Sequence, residues 1–242
     1  MAKKVSIEAG HGGADAGAVC GNICEKNINL VVALEFDRQL RRHGVDTLIS
    51  RTSDVNDPAS AFLPKAQTFK PDVHISVHTN AFNGTAKGFE IYRNTNGFKM
   101  QSDTLCKTVE AEVKALGQSS RGVKDSPFIM SGLQCPTAYC ELGFLDNPDD
   151  YKNFDTAAKQ QKFGTAYAKA ILKFLGVAWK DETGGTNAQP SATPPSQGTL
   201  PASGDVVFRV IAGSYSVKTN AETHIEELRK KGVEAFIAAY KL

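Results

Sequence analysis

Lys3-Lys4-Val5-Ser6-Ile7-Glu8-Ala9-Gly10-His11-Gly12-Gly13 is the stretch on which the fold turns. The β-branched run from Lys3 to Ala9 reads as a strand. It ends in glycines around a single histidine, and glycines admit unusual backbone angles and close approach of a metal or substrate. His11 is therefore either a ligand at a strand end or an incidental member of a glycine-rich turn. Outward from it, Glu25 to His43 carries Ile28, Val31, Val32, Leu34, Phe36 and Leu40 at helical spacing, and Gly44 stops the helix. Val45 to Ser50 reads as a second strand. Asp57-Pro58 opens a second helix with proline at an early helical position. Asp72 to Val77 and Gly88 to Tyr92 are further strands. Ser102 to Leu116 is helical, Pro136 to Leu142 strand-like, and Thr156 to Leu175 a last amphipathic helix. Strands alternating with helices predict an α/β domain: a mostly parallel sheet with helices on both faces and its site at the strand ends.

That large domain covers residues 1–179. Residues 180–204 are rich in Gly, Pro, Ser and Thr, lack apolar periodicity and read as a flexible linker. Residues 205–242 read as a small βαβ unit: Val206 to Ala212, a helix from Asn220 to Lys231, and Val233 to Tyr240.

The 242 residues are 41% hydrophobic and 22% charged, with a net charge of +2. This balance does not call for nucleic acid, and a mild basic excess suits an anionic polymer. No apolar run is long enough to span a membrane. The N-terminus lacks the apolar core of a signal peptide, so the expectation is synthesis in the cytoplasm and action on a target reached after release. Five cysteines, Cys20, Cys24, Cys106, Cys135 and Cys140, cannot all pair within the chain and read as reduced thiols. A structural zinc on Cys20, Cys24, Cys135 and Cys140 is disfavoured by the spacing.

Four positions could carry chemistry. His11 is one. His78 closes an apolar strand in Ser76-Val77-His78-Thr79-Asn80, on the same face as His74, which reads as a packed histidine. Glu25 opens the first helix, where a carboxylate is favoured in any case. Glu141 ends a strand-like run in Cys140-Glu141-Leu142-Gly143-Phe144, as a rim residue or a working one. His43 is explained by a helix C-terminus and His224 by a solvated face. Together, two imidazoles and a carboxylate with an open fourth position make up a catalytic zinc set.

From about Lys3 to Leu175 the chain resembles the zinc-dependent N-acetylmuramoyl-L-alanine amidases of bacterial division, sporulation and phage lysis. The likeness rests on Gly10-His11-Gly12-Gly13, Glu25 at a helix start, Arg51-Thr52, Ser76-x-His78-x-Asn80, and Pro136 followed by Glu141-x-Gly143-Phe144 and Asn147. It implies a single mixed sheet, zinc on His11, Glu25 and His78, and Glu141 as catalytic carboxylate. Asn80, Gly12 and Lys65 fall to the substrate side. Glu8 stands where the family often has Asp, and Lys65 near a family arginine; neither change touches a proposed ligand. The implied partner is peptidoglycan. The tail resembles the first half of a SPOR domain, through Phe208, Arg209 and Tyr215 in Phe208-Arg-Val-Ile-Ala-Gly213-Ser214-Tyr215. SPOR domains bind peptide-free glycan. Half of one is expected to pair with a second copy, giving a homodimer, because an unpaired half exposes a sheet edge. Tyr92 to Cys135 is too short for the inhibitory helix of division amidases, so an uninhibited phage endolysin or mother-cell autolysin is expected. The rivals are a catalytically inactive wall-binding protein and a zinc carboxypeptidase acting on stem peptides.

Overall fold

The computed structural model describes residues 2–126 and 130–181. The 205–242 unit, with Phe208, Arg209 and Tyr215, and all of the 180–204 linker beyond Asp181 lie outside the described residues. Strands β1 (Lys4–Ala9), β2 (Val19–Cys20) and β3 (Ile23–Cys24) lead into helix α1 (Glu25–Arg42). Then follow β4 (Asp46–Ile49), α2 (Ala59–Phe69), β5 (Val73–Asn80), β6 (Phe89–Asn94) and α3 (Lys99–Ala115). The last elements are β7 (Ser120–Ser126), β8 (Thr137–Phe144), α4 (Pro148–Tyr151) and α5 (Ala157–Leu175). The main sheet has six strands in the order β4-β1-β5-β8-β6-β7. Four strands, β4, β1, β5 and β8, run parallel; β6 is antiparallel to β8, and β7 is parallel to β6. A single mixed, mostly parallel sheet is thus what the chain forms.

The two faces of this sheet differ in kind. Side chains alternate along a strand, so Val5, Ile7, Ala9, Val73, Ile75, Val77, Ala138, Cys140, Leu142, Phe89 and Ile91 share one face. They form the core with Phe36 and Leu40 of α1, Leu105 and Val109 of α3, and Tyr167 and Ile171 of α5. Each fully buried Val, Leu, Ile or Phe side chain among them contributes about 1.5–3 kcal/mol. The opposite face carries Ser6, Glu8, His74, Ser76, His78, Tyr139, Glu141, Glu90 and Tyr92. Part of it lies under α2, where Phe62 meets His74 at 6.2 Å between ring centroids and packs with Ala66, Met130, Leu133 and Cys135. Parallel strands covered on both sides normally read as apolar throughout. Here the second face is buried yet polar.

The helix ends follow their local chemistry. Thr156 caps α5 by accepting from Lys159 N, and Gly176 leaves it at φ 71°. Asn147 caps α4 ahead of Pro148. Pro58 is the residue before α2 rather than within its first turn, and α3 starts at Lys99, earlier than its apolar period. His43 sits at the C-terminus of α1, as expected, and serves the carbonyls there. Its Nδ1 donates to Gln39 O and its Nε2 accepts from Lys180 N. Its ring stacks on Trp179 at 4.6 Å, which pins the end of the large domain to the end of α1. All five cysteines are free thiols. Among the described residues, no helix is long and apolar enough to cross a membrane.

Candidate metal centre

The turn after β1 is built to present His11. Its backbone sits at φ 62°, an unusual place for a residue with a Cβ. Gly12 at φ 142° must be glycine, because a Cβ would lie 2.2 Å from Val55 O. The buried Arg51 guanidinium clamps this turn by donating to Ala9 O, Gly10 O, Lys26 O and Ser53 O. His11 Nδ1 donates to Asp15 Oδ2 at 2.9 Å, which leaves Nε2 facing Glu25 Oε2 at 3.3 Å. The Glu25 hydrogen bond raises the His11 pKa, against the effect of burial.

Glu25, the first residue of α1, lies between two imidazoles. Its Oε1 is 3.0 Å from His78 Nδ1 and also accepts from Thr79 N and Asn29 Nδ2. Its Oε2 accepts from Ala18 N. Burial alone would raise its pKa, but hydrogen bonds from His11 and His78 outweigh that and hold it well below the usual carboxylate range. His78 arrives from the end of β5. Its ring stacks on Tyr139 with centroids 4.3 Å apart and meets His11 edge-on at 5.0 Å. Gly10 underlies it, and a Cβ there would fall 2.1 Å from His78 Cε1. On its far side His78 Nε2 is 3.6 Å from Glu8 Oε2. Burial would lower the His78 pKa, but Glu25 and Glu8 outweigh it and hold it at about 10.

His11, Glu25 and His78 therefore come together as expected. Their ligand atoms lie within 4.8 Å of one another, and they are the only such group among the described residues. The set fits a zinc ion on its chemistry: two imidazoles, one carboxylate and room for a fourth ligand. Each imidazole also has a carboxylate on its outer nitrogen, Asp15 for His11 and Glu8 for His78, the arrangement that fixes tautomer and orientation at metal sites. Neither outer carboxylate was legible as such. Glu8 was read as touching no ligand, whereas it lies against His78. The available signal was a lone charge inside an apolar strand.

Glu141 stands beside His78, its register partner on β8. Its Oε2 is buried without a hydrogen-bond partner among the described residues. Burial pushes its pKa up to about 7, helped by the charge of Glu25 and opposed by His78. Asn80 donates to Glu90 Oε2 at 3.3 Å. Gly12 is a buried turn-former. Lys65 is exposed on α2, with its ammonium 2.8 Å from Asp57 Oδ1. His74 is the packed histidine expected. It is hydrogen-bonded to the hydroxyls of Ser6 and Ser76, and burial lowers its pKa to about 4.

The model of the N-acetylmuramoyl-L-alanine amidase family matches residues 5–173. The chain is 27% identical over 242 residues to the sporulation-specific N-acetylmuramoyl-L-alanine amidase of Bacillus subtilis, covering 97% of this chain and 84% of that one. It is 30% identical over 203 residues to the endolysin of Bacillus phage SPP1, covering 81% and 74%. Its fold matches the catalytic domain of CwlV, an amidase from Bacillus (Paenibacillus) polymyxa var. colistinus, with a TM-score of 0.67 and 25% identity over 73% of this chain and 99% of that one.

Proposed function

Because the chain belongs to the N-acetylmuramoyl-L-alanine amidase family, we propose that it hydrolyses the amide joining N-acetylmuramic acid to L-alanine in peptidoglycan. In this reading His11, Glu25 and His78 hold zinc and Glu141 is the catalytic carboxylate. The observation that carries it is a pair of imidazoles sharing Glu25 while each is backed by a further carboxylate, one strand from a buried carboxylate oxygen with no partner. Zinc bound there would polarise the lactyl carbonyl and acidify a water molecule.

The protein's own groups do the rest. Asp15 holds His11 with Nδ1 protonated, so that Nε2 is the ligand atom. Glu8 on Nε2 of His78 leaves Nδ1 as its ligand atom. Glu141 has one oxygen, Oε2, without a donor and is destabilised as an anion by burial, which makes it a base matched to neutral pH. It takes the proton of the attacking water and passes it to the departing alanine nitrogen. Asn80, Gly12 and Lys65 lie on the substrate side of this scheme. A lytic role as endolysin or autolysin is supported by the likeness to a phage endolysin and to a sporulation amidase.

The test is digestion of purified cell wall by the native protein and by Glu141→Gln, each with and without chelator, with products read by mass spectrometry. Stem peptides with a free L-alanine amine are expected from the native protein alone. Glu141→Gln should lose about 10²–10⁴-fold in rate and keep its zinc. Untouched wall under zinc-replete conditions overturns the amidase reading in favour of a binding module. Shortened peptides still attached to glycan overturn it in favour of a carboxypeptidase.

A further inference from the structure

Glu90, at the start of β6, lies directly across the sheet from Glu141. Its buried carboxylate is fully engaged. Oε1 accepts from Arg121 Nε and Lys124 Nζ, and Oε2 accepts from Tyr92 OH and Asn80 Nδ2. One carboxylate thus gathers two cations, which leaves a local positive excess one strand beyond the catalytic carboxylate. Both cations reach solvent, with side chains 43% and 36% exposed.

Arg121 is the better placed of the two. Its guanidinium carbon lies 5.4 Å from the centre of the Phe144 ring, within cation–π reach, and its Nε is held by Glu90. Among the described residues, its two Nη groups have no partner. A planar fork with its Nη edge free is the donor arrangement that takes a carboxylate through paired hydrogen bonds. Glu90 serves as the fixed base of this fork. Neutralising Glu90 takes only one of the two charges.

The position matches the substrate. Arg121 falls on the strand after Glu90, so its Cα is about 10 Å from that of Glu141, a gap that the side chain closes by leaning back over Glu90. L-alanine and the residue after it extend about 7 Å from the scissile bond. In stems whose second residue is D-glutamate linked through its side chain, a free α-carboxylate projects there. Building on the amidase reading, we propose that Arg121, supported by Lys124, forms a carboxylate subsite for the second residue of the stem peptide. The subsite makes the enzyme prefer D-glutamate stems over stems amidated at that carboxyl.

The test uses two synthetic muramoyl peptides, identical except for D-glutamate or D-isoglutamine at the second position. It also uses calorimetric binding of the peptide products L-alanyl-D-glutamate and L-alanyl-D-isoglutamine. The native protein should favour the acid in kcat/KM by about tenfold or more, mainly through KM, with the same order in binding. Arg121→Ala should equalise the two substrates while still cleaving both, Arg121→Lys should restore part of the preference, and Lys124→Gln should weaken it. Arg121 is exposed enough for each variant to fold. Equal kinetics and binding for the two peptides in the native protein, or an Arg121→Ala loss equal for both, overturns the subsite. Cleavage of neither muramoyl peptide overturns the amidase reading itself, and the binding arm then still decides whether Arg121 recognises the carboxylate.

Discussion

Gly10 shows how closely single residues are constrained around the site. A methyl group there would sit 2.1 Å from the His78 ring. That ring cannot retreat, because Tyr139 stacks against it. We expect Gly10→Ala to stay folded, since the neighbouring strands keep their pairing, but to lose zinc affinity by about tenfold or more, the range seen when metal-ligand support is removed. Zinc stoichiometry after dialysis against a weak chelator, alongside a thermal melt, checks this. Full zinc retention would show that the ring has room to move. The four principal residues were legible because Glu25 opens α1, His11 follows β1, and His78 and Glu141 lie in the C-terminal halves of β5 and β8, in a recognisable order. Asp15 and Glu8 were not, because their role exists only once His11 and His78 turn their outer nitrogens towards them.

Among elements, α1 and α5 cross at Gly164. A Cβ at that position would meet Val32 O at 2.5 Å and Phe36 N at 3.0 Å. Helix propensity favours alanine over glycine by about 1 kcal/mol, whereas forcing a methyl group into packed backbone costs about 1–3 kcal/mol. Because the contact is backbone, the second effect wins. Gly164→Ala should destabilise the protein in urea unfolding while leaving zinc content unchanged, and a more stable variant would refute the close crossing. The long helices were readable from their apolar period. The strand Ser120–Ser126 was not, because Ser-Arg-Gly-Val-Lys-Asp-Ser contains one apolar residue and pairs on one side only. The hairpin of β2 and β3 was missed because each strand is two residues long.

Over the whole molecule, the sheet's buried polar face makes stability depend on pH. His74 titrates at about 4 when folded, against an ordinary value of 6.5. Between these values the unfolded chain binds the proton and the folded one does not, so stability is lost as pH falls through that window. His74 by itself contributes a loss of about 2 kcal/mol from about pH 7 to about pH 5. Glu141 and His78, whose pKa values are raised on folding, act in the opposite direction over that range, so the His74 share is read as a difference between variants. Glu8, where burial is outweighed by the hydrogen bond and charge of His78 together with Ser76 and His74 and the pKa is held at about 2, acts only below its ordinary 4.5. His74→Gln can keep bonds to Ser6 and Ser76 without a titrating proton. Its urea midpoint should fall less than the native one between those pH values, and equal falls would remove His74 as the cause. The α/β class was legible at this scale, but the reversal of β6 was not, since strand direction is decided by pairing across the sheet. That reversal brings the starts of β6 and β7 to the end of the sheet where β1 and β5 finish. The three candidate metal ligands come from chain up to residue 78, and Arg121 from chain after 88. That second stretch also carries Glu141 on β8, so in the proposed reading the working carboxylate and the Arg121 side travel together along the chain, and any exchange of the one brings the other with it.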